Sequence, residues 1–523
     1  MGARRSSLAF DGNTFVLPMI SGGYTASPNF DLIKPEMMIT PTKNLNLQDG
    51  VRAKRGGTAK VDATAVVGTP QITGIFDYRK KNGNRFTMFS GNDGSVYKNF
   101  TTTIKTGMST TNRIWFETFE DEVYFCDGAT TPQYWDGAAG ASANITTLAG
   151  DWTGSNFPLY VVKHGRNVSQ RLFYFGCPTT PETMYISANN DGKTANSLTL
   201  VVETRDGYGV VGAIPFGNRL MIFGRKETFF FEDSLTDTAT WGYQKSQFEG
   251  GVAHQRLLVA TPNKLYAMME DGEIYEVATT QAYGDYVASS ITRPSFMHKW
   301  IQDNAKLSSI ADFHGTYDPV QRVVRIWVVR TGETQADTCL KFYIDRPVED
   351  AWMIEDNLDN PSGYQASVSA VVRPSSGSVK VYTGSYDGFV WELESTANTD
   401  DSLGYSAKFR TPPMVLGNPR STKTFRKGWL VFFSQGDYDV TIRWWVDGVQ
   451  QSDLTVTTAG SGAVYGSGTY GTAVYGGAEL SESSFDLGYF GKRLQLEVEN
   501  AVAGEDFAIS QVLIDYKDHG ARA

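Results

Sequence analysis

The sequence predicts an all-β protein: a β-propeller of about seven blades, with an extended N-terminal arm before it and a C-terminal β-sandwich after it. Three observations predict this. A short phrase recurs along the middle of the chain: an apolar, partly alternating run, then Asp-Gly, then a β-branched residue and an aromatic. The 523 residues include 53 Gly, 30 Phe and 26 Tyr, a composition suited to short strands and tight turns. From about residue 405 the pattern changes to strict polar–apolar alternation, as expected of sheets with one buried face.

The phrase reads FTMFSGNDGSVY at 86–97, LYAMMEDGEIY at 265–275 and VKVYTGSYDGFVW at 379–391, with a looser copy, VYFCDGATTPQYW, at 123–135. Asp93-Gly94, Asp271-Gly272 and Asp387-Gly388 hold equivalent places. Such a pair between apolar runs predicts a hairpin. A type I′ turn needs positive φ at both central residues, which Gly adopts freely and Asp tolerates. The recurrence makes Asp387 a turn corner, because a corner must repeat and a catalytic carboxylate need not. Ser385, Asp387, Gly388 and Trp391 fall one residue short of the S-x-D-x-G-x-x-W box of sialidase-like propellers.

Seven candidate units follow the rhythm: 70–103, 112–137, 157–190, 209–235, 254–279, 309–352 and 366–395. Their spacing suits blades of four short strands. One segment breaks it. SFMHKWIQDNAKLSSI (295–310) places Phe296, Met297, Trp300, Ile301, Ala305 and Leu307 at near-helical spacing, so a short inserted helix is expected, capped by Ser295. His298 rides on it as a surface or packed residue.

Residues 1–65 read as the arm, punctuated by Pro18, Pro28, Pro35 and Pro41 and ending near NLNLQDGVRAKRGGT (44–58). The propeller is expected over 66–400 and the sandwich over 401–523. In the latter, Val440, Ile442, Trp444 and Val446 alternate with polar or outward residues, as do Leu494, Leu496 and Val498. Lys423–Phe433 and a run through Val512, Ile514 and Tyr516 add further strands. Inside this domain GSGAVYGSGTYGTAVYGGAE (460–479) sets Tyr465, Tyr470 and Tyr475 among glycines, either as a hairpin tip or as an adhesive or constricting loop.

The formal charge of −10 argues against a protein whose main task is to grip nucleic-acid phosphate. It does not exclude a wall that DNA slides past, since a mildly acidic surface repels phosphate. Cys126, Cys177 and Cys339 are far apart and form no C-x-x-C, so reduced, buried thiols are expected. MGARRSSLAF lacks the apolar core of a signal peptide, and no apolar run is long enough to span a bilayer.

No catalytic, metal or cofactor site emerges. Gly207, Gly209 and Gly212 spell GxGxxG, but Pro215 and Phe216-Gly217 lead into a strand where a dinucleotide loop must open a helix. Walker A, H-E-x-x-H and G-x-S-x-G strings are absent. The five histidines lack metal spacing, and no His or Glu recurs at one blade position. NNDG (189–192) reads as a turn rather than a calcium loop.

The order of these pieces resembles the nozzle or hub proteins of short-tailed bacteriophages. NLNLQDGVRAKRGGT is similar to that family's early asparagine, aspartate-glycine, basic and glycine segment, although Gly56-Gly57 stands where relatives often carry a proline after the basic pair. Propeller-like units with an inserted helix follow, and AISQVLIDYKDHGAR (508–522) is similar to the family's closing strand. The resemblance implies a non-enzymatic structural protein of the virion tail, made in the host cytoplasm. It implies a ring, with six copies expected, beneath a head-to-tail adaptor. The ring would serve as a conduit for double-stranded DNA during ejection, a closure, and a docking platform for tail fibres or spikes. On that reading Arg52, Lys54 and Arg55 are candidate partner contacts, and Tyr465, Tyr470 and Tyr475 a candidate channel constriction. Two alternatives come from other classes: a propeller enzyme acting on glycan, which needs a carboxylate pair in a cleft, and a monomeric protein-binding scaffold, which leaves the arm and the sandwich unexplained.

Overall fold

The computed structural model describes residues 12–520 except 20, 48–49, 139, 147–148, 167–168, 232–240, 280–285, 357–364, 375–376, 434–435, 437 and 459–479. The chain divides into two compact units. One comprises residues 58–344 and 363–393; the other comprises 1–57, 345–362 and 394–523.

Among the described residues, seven four-stranded sheets build the propeller. Blades 1 to 6 span 72–105, 115–144, 160–201, 212–245, 258–290 and 314–356; blade 7 takes 368–395 and adds Gly57–Lys60 as its fourth strand. All seven fall on the expected units. Their first strands form a closed ring. Ile72–Arg79, Trp115–Phe119, Tyr160–Arg166, Gly212–Phe216, Leu258–Ala260, His314–Asp318 and Val368–Val372 each lie against the next, and the last lies against the first.

Apolar side chains fill the spaces between neighbouring sheets. Val162, Phe173 and Met184 of blade 3 pack with Leu220, Ile222 and Phe229 of blade 4. Ile72, Ile75 and Phe89 of blade 1 pack with Val368, Tyr382 and Val390 of blade 7, which closes the circle. Sheets packed in this way bury apolar faces against their neighbours, and removing such area from water is the main force holding them together.

The Asp-Gly pairs lie where expected, between the second and third strands of blades 1, 5 and 7, but the turn type differs. Gly94, Gly272 and Gly388 have φ of 75°, 84° and 87°, while Asp93, Asp271 and Asp387 are not among the positive-φ residues. The turn is therefore not type I′. The Asp side chain instead accepts the N–H two residues on: Ser95 at 3.0 Å, Glu273 at 3.0 Å and Phe389 at 3.5 Å. That Asx bond holds the corner with only the glycine left-handed. The inserted helix is Met297–Asn304, followed by a 3₁₀ segment, Leu307–Asp312. Ser295 does not cap it. The N-cap is Phe296, in the left-handed region at φ 60°, and Ser295 is buried with its hydroxyl directed to the Thr292 carbonyl.

Among its described residues the second unit holds two six-stranded sheets. One combines Asn13–Pro18, Leu45–Asn46, Arg52–Lys54, Lys423–Phe433, Leu480–Gly491 and Ala508–Asp518. The other combines Ile39–Lys43, Ala407–Arg410, Asp439–Val446, Val449–Gln450, Leu454–Thr457 and Leu494–Asn500. Val440, Ile442, Trp444 and Val446 are all buried, as their alternation predicts, and Trp444 reaches Phe485 of the other sheet at 6.4 Å between ring centroids. Within the described residues, parts of the expected arm pair into these sheets. Residues 13–18 pair antiparallel with 511–516, and Ile39–Lys43 pairs with Ala407–Arg410.

Candidate functional site

The basic cluster proposed as a partner contact is buried inside the sandwich unit. Arg52, Lys54 and Arg55 are 0%, 3% and 1% exposed, which corrects the expectation of an accessible patch. The guanidinium of Arg55 makes a bidentate bond to Asp400, at 3.0 and 2.5 Å. Its Nε lies 3.6 Å from Glu355 and 3.3 Å from the Asn44 side-chain oxygen. The ring of Tyr405 stacks below it at 4.0 Å, and the Tyr405 hydroxyl donates to the Arg55 carbonyl. Burial alone would lower the basicity of Arg55, but Asp400 and Glu355 outweigh it and hold the group well above its ordinary value. Lys54 donates to Asn500 at 2.9 Å and to the Val502 carbonyl at 3.0 Å; burial lowers it to about 8. Arg52 lies over Phe409 and donates to the Glu36 carbonyl; burial, then the nearby Arg346, lowers it to about 9. Tyr465, Tyr470 and Tyr475 lie outside the described residues.

A different site forms on the propeller axis. A cavity of about 830 Å³ is lined by residues from the inner strands and the loops that feed them, including Phe76, Arg113, Trp115, Tyr160, Arg256 and His314. Three local devices place its charged groups. The loop before blade 2 is pinned by buried Asp127, whose carboxylate accepts the Ser109 N–H at 2.6 Å and whose carbonyl accepts from Asn112 at 2.9 Å. This fixes Arg113, which donates to the Ser367 carbonyl at 2.6 Å and pairs with Asp312 at 3.2 Å. A 3₁₀ turn, Gln255–Leu257, precedes blade 5 and is capped by His254, whose Nδ1 accepts the Arg256 N–H at 3.3 Å. Buried Gln255 locks that turn to blade 4 through both backbone groups of Ala213, at 2.7 and 2.9 Å. Arg256 then reaches the Ala311 carbonyl. At the start of blade 6, His314 stacks on its cross-strand partner Trp327 with centroids 5.1 Å apart.

Electrostatics in the cavity follow from burial and crowding of like charge. Burial, then Arg113, brings Arg256 down to about 9. His254 falls to about 3, from burial and then Arg256, and its Nε2–H donates to the Ile310 carbonyl at 2.8 Å. His314 is driven well below its ordinary value by burial, Arg256 and Arg113. Both imidazoles are neutral at physiological pH. Burial raises Glu117, whose oxygens accept the N–H groups of Thr118 at 3.0 Å and Lys163 at 3.3 Å. A cavity of this size is within the range that holds a small ligand.

Sequence reading missed this site because its residues come from separate blades. A signal existed: His254 and Arg256 stand just before the first strand of blade 5, and Asp312 and His314 just before and at that of blade 6. No group of three or more His, Cys, Asp and Glu side chains placed to hold a metal occurs among the described residues. Among them, too, no helix is long and apolar enough to cross a membrane.

No protein-family model matches the chain, and no curated protein matches it. Among solved structures, YCF48 from Cyanidioschyzon merolae is similar over 65% of this chain and 98% of its own, at 12% identity and a TM-score of 0.37. The Pan2 WD40 domain of Neurospora crassa is similar over 65% and 95%, at 10% identity and a TM-score of 0.38. PorZ of Porphyromonas gingivalis is similar over 69% and 44%, at 11% identity and a TM-score of 0.39. The propeller assignment rests on the closed ring of seven sheets.

Proposed function

We propose that this chain is a structural protein of a short-tailed bacteriophage tail, a nozzle or hub whose copies form a ring conduit for DNA ejection and a platform for closure and docking. One observation carries the reading. The two stretches that resemble that family, 44–58 and 508–522, lie at opposite ends of the sequence yet pair directly, Arg52 with Ile509 and Ala53 with Ala508. Separate pieces of one resemblance thus belong to one sheet.

The propeller's own axis is not the conduit. A cavity of about 830 Å³ cannot pass a double helix whose major groove alone is ~12 Å wide. Passage therefore needs a lumen enclosed by several copies meeting through closing, head-to-tail contacts. The glycan-active reading stands second. The cavity carboxylates are engaged: Asp312 by Arg113, Glu270 by Arg225, and Glu117 by backbone N–H groups.

Sedimentation of the full-length chain, alone and with its head-to-tail adaptor, tests the proposal alongside negative-stain imaging. Rings of several copies are expected in at least the mixed sample. A chain that stays monomeric under both conditions defeats the reading.

A further inference from the structure

We propose that the turn carrying Tyr489, Phe490 and Lys492 docks on a second copy of this chain, on the outward face of the sheet that contains Lys423–Phe433, where Trp429, Leu513 and Val16 form an apolar row beside Glu482. The inference rests on the ring reading and names a contact between neighbouring copies.

The first observation is an exposed anchor on a fixed turn. Phe490 is 68% exposed, more than any other large hydrophobic side chain among the described residues. Its strand is not loose. Phe490 lies opposite Thr424, and the Asp447 carboxylate accepts the N–H of Lys492 at 2.9 Å and that of Arg493 at 2.8 Å. Tyr489, also exposed, lies 6.4 Å from Trp444 between ring centroids. On the adjoining turn Val449 is 64% exposed, and the Asp447 N–H ties that turn to the Arg493 carbonyl at 3.1 Å. An aromatic side chain held in place before it meets a partner loses little entropy on binding, which is what an interface anchor needs.

The second observation is the charge beside the anchor. Lys492 and Arg493 are both exposed. Arg493 pairs with Asp31 at 2.7 Å, and Asp447 directs its oxygens to backbone N–H groups. Lys492 has no carboxylate within salt-bridge distance among the described residues. Two such turns do not complement each other, because a two-fold contact through them would bring Lys492 near Lys492. The partner surface is therefore a different one, which makes the contact head-to-tail.

The third observation is a face that fits. Strand register places Val16 opposite Leu513, Leu513 opposite Trp429, and Trp429 opposite Ser484, so these side chains share one face of the sheet. Leu17, Leu430, Val512 and Ile514 turn to the buried face, which leaves the row directed outward. Val16 is 49% exposed, and Leu513 and Trp429 are half-buried. Glu482 and Asp486 flank Ser484 on that same face, both exposed, since side chains two apart on a strand point the same way. Neither has a cation within salt-bridge distance among the described residues. Lys427, opposite Asp486, holds its ammonium 5.6 Å from the Trp429 ring, so Glu482 is the acid left for Lys492. The turn does not reach this row in its own copy, because the six residues from Ser484 to Phe490 span about 20 Å of strand. Between copies, the aromatic anchor meets the apolar row and the ammonium meets the carboxylate.

The test uses the full-length chain under the condition in which it forms rings, alone or with its adaptor, and reads assembly by sedimentation velocity and negative-stain imaging. Phe490→Ser should raise the protein concentration needed for rings at least tenfold, with circular dichroism and thermal unfolding unchanged. Lys492→Glu should raise it several-fold, and adding Glu482→Lys should restore it. Rings formed at native concentrations by a folded Phe490→Ser chain, or a double variant no better than Lys492→Glu alone, overturn the contact and leave the ring reading standing. Should Phe490→Ser fail to fold, the charge swap decides by itself. Flotation with phosphatidylglycerol vesicles covers a rival occupant: capture that Phe490→Ser abolishes while its rings persist assigns the turn to a lipid surface and overturns the contact. A native chain that never forms rings defeats the ring reading, and the contact falls with it.

Discussion

Arg55 shows how a residue in a surface-looking basic run can become internal. In sequence it stands between Lys54 and Gly56-Gly57, which suggests a solvated turn. Its counter-charges lie far along the chain: Asp400 is 345 residues away and Glu355 belongs to another segment. No local pattern announces such partners, so the cluster was visible and its burial was not. The energetics are those of a desolvated ion group. Its net worth against a well-packed apolar replacement is small, but removing one member strands the others. Arg55→Met leaves Asp400 and Glu355 buried without a cation and is expected to cost about 3–5 kcal/mol. Urea unfolding of the variant measures this; a loss below about 1 kcal/mol would mean that solvent or another cation compensates the pair.

At the scale of elements, the blades were legible because their signals are local. The recurring hairpins of blades 1, 5 and 7 each carry their own glycine, aspartate and apolar runs within about a dozen residues. The turn type was not legible, because Asp-Gly serves both a two-residue turn and an Asx-closed corner. The N-terminal strands were illegible for the opposite reason. They are short and broken by prolines, and their partners are distant: Thr14 bonds Asp515, 501 residues on. A comparison of two glycines separates backbone strain from crowding. Gly83 has φ +91° with open space at its absent Cβ, while at Gly94, φ +75°, a Cβ would stand 2.4 Å from the Met108 carbonyl oxygen. Both sites penalise a side chain through φ, by about 1–2 kcal/mol. Only Gly94 must also move a neighbouring backbone. Thermal unfolding should therefore place Gly94→Ala clearly below Gly83→Ala, and coincident midpoints would show that the blade 1 corner tolerates displacement.

At the scale of the molecule, the seven sheets were countable as a repeat, while the axial cavity was not. A repeat tells how many units exist; closure decides which residues from separate units meet. Arg113, Arg256 and His314 converge only because blade 7 returns to blade 1. Closure also alters how stability is shared. In an open array of repeats each unit touches only its neighbours, and a defect at one end frays that end. In a closed ring there is no end, and blade 1 is held on both sides. Ile72 sits at the seam, fully buried with Val368, Tyr382 and Val390 of blade 7. Ile72→Ala removes core volume there, an expected cost of about 2–5 kcal/mol. If the ring opens as one cooperative unit, amide exchange should accelerate as much in Arg219–Phe223, the second strand of blade 4, as in Arg85–Gly91, the second strand of blade 1. Hydrogen exchange read by mass spectrometry distinguishes the cases. Acceleration confined to blades 1 and 7 would mean that the seam behaves as a free end and that the remaining sheets hold together without closure.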